Sequence, residues 1–138
     1  IIQFSVSKIF MKILGLGVDI VNITRVDNII NYKKKKFLKK TFKNNEFKNK
    51  KINKFTVAKK FAAKEAFSKA IGTGIGKFVS FKEISVLNKS NGSPYIKITK
   101  NLEKKIEKKM KSKNIKIHLS ISDDFPWAIA FVIISREI

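Results

Sequence analysis

The chain has 138 residues, enough for one compact domain and too few for two ordinary ones, and its 31 Lys and Arg against 10 Asp and Glu give a formal charge of +21. Apolar residues make up 43% of it, with 12 Phe, which excludes wholesale disorder; the absence of Cys excludes disulfides and thiolate metal sites and makes a reducing cytoplasm the expected compartment. Charge of this sign attracts nucleic acid, an anionic membrane surface or an acidic protein. Only Arg25 and Arg136 carry the planar guanidinium fork that base and phosphate readers favour, so most of the lysine charge reads as solvated surface with a modest steering role.

In chain order, Ile1 to Phe10 lacks both the basic start and the small-residue cleavage pattern of a signal peptide. Met11 reads as the functional start, with residues 1–10 a dispensable extension and 11–138 the domain. Ile13 to Val21 has an apolar Val-Asp-Ile centre and glycines that weaken a helix, and it predicts a buried strand with its acid near the end. Asn22 or Thr24 can cap a helix bearing Val26, Ile29 and Ile30, which should break near Asn31 and Tyr32. Lys33 to Lys54 is lysine-dense with Phe37, Leu38, Phe42 and Phe47 interspersed. It predicts short helices over the core with lysines outward; a disordered linker is the alternative, and would leave the phenylalanines exposed.

Alanines and phenylalanines from Asn53 or Thr56 to Ile71 describe a central helix that Gly72 can close in the left-handed conformation. Ile84 to Leu87 and Tyr95 to Ile98 flank Asn91-Gly92 as a hairpin. Leu102, Ile106 and Met110 mark an amphipathic helix in which Glu107 can pair with Lys111. Ile115, Ile117, Leu119 and Ile121 alternate with polar residues as a half-buried strand, and Asp123-Asp124-Phe125-Pro126 turns into a last strand from Trp127 to Ile134. No apolar run approaches the roughly 20 residues of a membrane span. The order implies an α+β domain with a largely antiparallel sheet packed against the central helix.

Acids are scarce, so Asp19 and Glu65 stand out. Taken alone, Glu65 with Lys69 four residues on reads as an exposed ion pair worth a few tenths of a kcal/mol. Asp19 shifts that balance, because a carboxylate between Val18 and Ile20 in a buried strand needs a backbone cap, a cation or a metal. Two carboxylates beside lysines suit Mg²⁺ and a pyrophosphate together, since this ion takes few protein oxygens and draws the rest from water and phosphates. Gly72-Thr-Gly-Ile-Gly76 follows a helix instead of preceding one, which makes it a cap and turn before a phosphate cradle. His118, on the polar strand face with Ser120 and Ser122, is a bystander or a phosphate donor; no oxyanion turn or orienting acid supports a serine hydrolase.

Together, Gly15-Leu-Gly-Val-Asp-Ile-Val-Asn-Ile-Thr-Arg25, Phe61-Ala-Ala-Lys-Glu-Ala-Phe-Ser-Lys-Ala70, Gly72-Thr-Gly-Ile75, Asn91-Gly-Ser-Pro94 and His118-Leu-Ser-Ile-Ser122 resemble, in order, the motifs of the holo-acyl-carrier-protein synthase family. These are the small phosphopantetheinyl transferases of bacterial fatty acid synthesis. The resemblance spans Met11 to Ile134. It implies that Asp19 and Glu65 bind Mg²⁺ with the coenzyme A pyrophosphate and that Lys69 and His118 contact phosphates. By the same resemblance Lys60, where many members carry Arg, and Lys64 are further anion contacts. Arg25, with Lys35 a looser counterpart, would contact an acidic acyl carrier protein, and the enzyme would be a homotrimer with sites between subunits.

Asn22 replaces the usual Glu and Asp123 a frequent second His, so neither inherits a role. The implied reaction is attack by the carrier serine on the β-phosphorus of coenzyme A, releasing 3′,5′-ADP, with a water held by the carboxylates or the metal as the preferred base. A nonenzymatic nucleic-acid-binding protein is the competing class, but no nucleic-acid motif is present and the cations do not form one stripe. An inactive member of the same family is the third reading.

Overall fold

A computed structural model describes residues 10–48 and 51–138, so nine of the ten residues read as an extension lie outside the described residues. Strand β1 (Met11–Asn22) leads into helix α1 (Ile23–Thr41). Asn22 is the cap: its side chain accepts from the Arg25 N–H at 3.1 Å, leaving Thr24 inside the helix. The break expected near Tyr32 occurs at Lys33, whose φ of −138° interrupts α1. Beyond it, the lysine tract continues as helix to Thr41 and then forms one 3₁₀ turn, Asn44–Phe47, with Phe42 buried and Phe37 half-buried. The phenylalanines do hold this segment onto the core.

Helix α2 (Lys54–Ile71) starts at Asn53, whose side chain accepts from the N–H groups of Phe55 and Thr56 at 3.0 Å. It ends at Gly72 with φ +89°, a conformation that strains any residue bearing a Cβ. A hairpin of β2 (Ile84–Asn88) and β3 (Pro94–Ile98), helix α3 (Lys100–Met110), β4 (Lys116–Asp124) and β5 (Trp127–Glu137) complete the chain. The expected Glu107–Lys111 ion pair is absent among the described residues. Lys111 is the left-handed C-cap, off the helical path, and only its backbone N–H reaches back, to the carbonyls of Glu107 and Lys108.

The strands form two antiparallel sheets where one was expected: β1-β5-β4, with β5 central, and the separate β2-β3 hairpin. Helix α2 crosses the first sheet, and its Ala62, Ala63, Ala66 and Phe67 pack with Ala130, Val132 and Ile134 of β5. The alanines matter because the helix lies almost on the backbone of β1. A Cβ on Gly17 would stand 1.9 Å from the Ala66 carbonyl oxygen, and one on Gly15 2.0 Å from that of Ala70. Only glycine permits this approach, which places the acid of β1 against α2.

Directly paired residues share a sheet face. Asp19 pairs with Ala130, and Ala130 with Ile121, on the α2 side; Leu16, Ile133 and His118 line up on the other. That other face is bare in the single chain: Val18 is 49% and Ile20 59% exposed, with Ile129 and Phe131 beside them. The expectation of a buried strand here is therefore corrected. Apolar residues on both faces of a strand mimic burial, but here α2 covers one face only.

Candidate active site

Asp19 points into the seam between β1 and α2, 15% exposed at its side chain. The Lys69 ammonium donates to Asp19 Oδ1 at 2.7 Å and to the Val18 carbonyl at 3.2 Å. Lys69 thus does not form the plain helical pair with Glu65 that spacing alone suggested; it reaches across to β1. Glu65 is half-buried one turn earlier on α2, and burial raises its carboxyl above the ordinary value of 4.5, followed by repulsion from Asp19, with Lys69 opposing. The three groups form one electrostatic unit of two carboxylates and one cation. An additional divalent cation fits it, since the donors are oxygens and the charge is uncompensated by one. No cluster of three or more His, Asp or Glu exists among the described residues, so water and substrate oxygens would complete such a shell.

The remaining expected residues divide sharply. Lys64 has no exposed side-chain surface and spends all three donors inside the protein, on Glu46 Oε2 at 2.8 Å and on the carbonyls of Thr41 at 2.7 Å and Phe81 at 3.0 Å. Burial lowers its pKa to about 8 against the opposing pull of Glu46. It has no donor left for an anion, which corrects its reading as an anion contact. Lys60 is buried too and donates to the Val86 carbonyl at 2.5 Å, with its ammonium 5.6 Å from the Phe47 ring centre. It nevertheless borders a cleft of about 260 Å³ that Lys59, Asn88, Pro94 and Asp123 also line.

His118 lies on the bare sheet face, its Nε2 2.8 Å from Ser135 Oγ, so within one chain the sheet separates it from Asp19. Asp123 pairs with Lys59 at 3.5 Å. Arg25 and Lys35 are exposed on α1. In the glycine loop, the amides of Gly72, Thr73 and Gly74 all bond back to the end of α2, to Lys69 or Ser68, and serve as a cap.

Residues 15–130 match the model of the 4′-phosphopantetheinyl transferase superfamily, which covers most of the chain. The chain belongs to that superfamily. Among transferases of this family, the holo-[acyl-carrier-protein] synthase of Ruthia magnifica is 44% identical over 129 residues, 91% of this chain and 98% of that one. The Helicobacter pylori holo-[acyl-carrier-protein] synthase crystallised in complex with coenzyme A superposes with a TM-score of 0.77 at 34% identity, over 86% of this chain and 98% of that one. A Bacillus anthracis holo-(acyl-carrier-protein) synthase structure in complex with CoA (3′,5′-ADP) gives 0.71 at 36%, over 91% and 98%. The resemblance seen in the motifs is thus a family membership, and the α+β fold is the transferase fold.

Sequence reasoning missed Glu46. Its only signal was an acid inside a lysine tract next to Phe47, and that pattern looks like an ordinary surface charge. The glycine pair weakens a helix, and its spacing, two residues apart on one strand face opposite an alanine-rich helix, is the sign of close packing.

Proposed function

We propose that this transferase moves the 4′-phosphopantetheine group of coenzyme A to the serine of an apo acyl carrier protein, with Mg²⁺, in cytoplasmic fatty acid biosynthesis. The observation that carries the reading is the Asp19–Glu65 pair with Lys69 in the β1–α2 seam, in a chain whose relatives are holo-acyl-carrier-protein synthases and are crystallised with coenzyme A. The serine Oγ attacks the β-phosphorus, the bond from that phosphorus to the bridging oxygen breaks, and 3′,5′-ADP leaves while the serine proton passes to a base. Asp19 and Glu65 are the residues that would hold Mg²⁺, which supplies positive charge against the pyrophosphate as the leaving group departs. Lys69 is half exposed and can exchange Asp19 for a phosphate oxygen, adding a second positive charge at the same place.

The bare sheet face supports a homotrimer. Leu16, Val18, Ile20, Ile129, Phe131 and Trp127 form an apolar surface that water leaves unsatisfied and a second copy would cover. His118 lies on that face, so in the oligomer it is available to a phosphate held by a neighbouring copy, whereas Lys60 borders a cleft on the α2 side of the sheet, where Ile121 also lines it. Arg25 and Lys35, exposed on α1, are suited to an acidic carrier. Arg25→Glu is expected to raise the KM for the carrier about tenfold while leaving that for coenzyme A unchanged; equal losses for both substrates remove the docking role.

The direct test is incubation with coenzyme A, Mg²⁺ and apo acyl carrier protein, followed by intact-mass spectrometry of the carrier. The expected result is one phosphopantetheine per carrier, abolished by a chelator. An unmodified carrier overturns the proposal.

A further inference from the structure

The side chain immediately before Glu65 does something the reaction does not explain. Lys64 and Glu46 are both fully buried, and between them every polar position is used. The ammonium reaches the last residue of α1, Thr41, the 3₁₀ turn through Glu46, and the Phe81 carbonyl just before β2. Glu46 Oε2 also accepts from the Lys43 N–H at 2.8 Å, and its Oε1 accepts from the Val86 N–H of β2 at 2.9 Å. The Phe42 ring centre lies 4.7 Å from the ammonium. Four separate segments of chain are therefore tied to a single point on α2.

Such a junction is not the cheapest way to fill a core, because a buried ion pair must offset the desolvation of both charges and an apolar pair of similar volume is often as stable. What it provides that an apolar pair does not is a fixed direction. Successive helix residues project about 100° apart, so fixing the azimuth of Lys64 fixes that of Glu65. On the opposite side of the helix, Gly15 and Gly17 seat β1 against the backbone at Ala66 and Ala70. Helix α2 is thereby held against rotation from both sides, and the direction it sets puts Glu65 on the side of the helix where Lys69, four residues on, reaches Asp19 at 2.7 Å.

We propose that the Glu46–Lys64 pair is a positioning device for the carboxylate site: it aims Glu65 at Asp19 by fixing the rotation of α2, and it contacts no substrate. The proposal rests on the reading of Asp19 and Glu65 as a divalent-cation site, and its test separates the two. Outer residues that orient a metal-binding side chain typically change metal affinity or activity by about 10- to 100-fold when replaced.

The variant of choice is the double replacement Glu46→Leu/Lys64→Met, which removes both charges and keeps apolar volume, so that the fold does not hold one unpaired charge. Glu46→Gln/Lys64→Gln is a second, polar version should the first fail to fold. Three readouts are taken: thermal melting, Mn²⁺ affinity by electron paramagnetic resonance without coenzyme A, and kcat and KM for coenzyme A with the carrier. A positioning role predicts a folded variant, its melting lowered because four backbone groups lose the partners that the pair supplied, with Mn²⁺ affinity about tenfold weaker, a matching fall in kcat, and an unchanged KM for coenzyme A.

Native Mn²⁺ affinity and kcat in a folded double variant overturn the proposal and leave the pair a purely structural element. A loss confined to the KM for coenzyme A also overturns it, since that is the signature of an anion ligand. If the unaltered protein binds Mn²⁺ but transfers nothing, the transferase reading falls while the Mn²⁺ comparison still decides the positioning role. If it does not bind Mn²⁺ at all, both fall.

Discussion

Helix α2 carries two lysine–carboxylate pairs of nearly the same length, 2.7 Å for Lys69–Asp19 and 2.8 Å for Lys64–Glu46, and they are suited to opposite tasks. In the first, Lys69 is 51% exposed and retains access to solvent, so the ammonium can change partners when an anion arrives. In the second neither side chain touches water, every donor and acceptor is satisfied, and leaving the partner means burying a bare charge. Distance alone does not distinguish a catalytic pair from a structural one. The unspent hydrogen-bonding capacity of each member does, and by that measure the lysine five residues along α2 is available for chemistry where Lys64 is not.

The largest expected effects fall on the exposed pair's side of the comparison. Asp19→Ala or Glu65→Ala should bring phosphopantetheine transfer below detection by mass spectrometry while circular dichroism and melting remain near those of the native protein. Full turnover by either variant would sink the metal assignment. Next come matched lysine replacements. Lys64→Met leaves Glu46 buried without its partner and should lower unfolding free energy by about 3–5 kcal/mol, whereas Lys69→Met removes a half-exposed pair and should alter it by about 0–1 kcal/mol while slowing transfer. Chemical denaturation measures the first difference and carrier modification the second. Equal stabilities for the two variants would erase the distinction between the pairs.

The residues on the exposed side were legible in the sequence and those on the buried side were not, for a physical reason. Asp19 and Glu65 each stand in an apolar or alanine-rich setting, where an acid is conspicuous because its desolvation needs an explanation. Glu46 sits among lysines, where an acid needs none; its partner lies 18 residues away, and only the return of α2 past the 3₁₀ turn brings them together. Lys64, in turn, took its reading as an anion contact from the resemblance, and nothing local on α2 reveals that its ammonium turns inward to Glu46. Helix ends were readable from local chemistry, as at Asn22, Asn53 and Gly72, since a cap is decided within three residues. Which face of β1 meets α2 depends on the pairing with β5. Alternation alone therefore put His118 on a polar face without revealing that the sheet separates that face from Asp19.

A smaller effect tests the frame that both pairs share. Gly17→Ala would set a methyl group 1.9 Å from the Ala66 carbonyl oxygen, an atom of helix backbone that cannot swing aside, so β1 must move away from α2. Overpacking of this kind costs about 1–3 kcal/mol. Because the displaced strand carries Asp19, the variant should lose transfer out of proportion to its loss of stability, measured side by side by carrier modification and denaturant titration. A purely proportional loss would mean that the seam tolerates a shift and that the site does not depend on close approach.

The smallest expected effect is a gain. Glu65 holds its proton more tightly in the folded chain than the ordinary value of 4.5, because burial and then Asp19 disfavour its charged form. Between 4.5 and that raised value the folded state binds more protons than the unfolded one, so this group makes stability rise as pH falls through the window. Above the window the penalty is complete. Glu65→Gln removes the charge with little change of shape and should therefore melt slightly higher than the native protein at neutral pH, and the difference should shrink as pH is lowered toward 4.5. In metal-free buffer this comparison isolates the carboxylate repulsion; saturating Mg²⁺ should reverse the order, stabilising the native protein and not the variant. A Gln variant that is less stable at neutral pH without metal would show that attraction to Lys69 outweighs burial and the repulsion from Asp19 at Glu65, and the raised carboxyl would then fall.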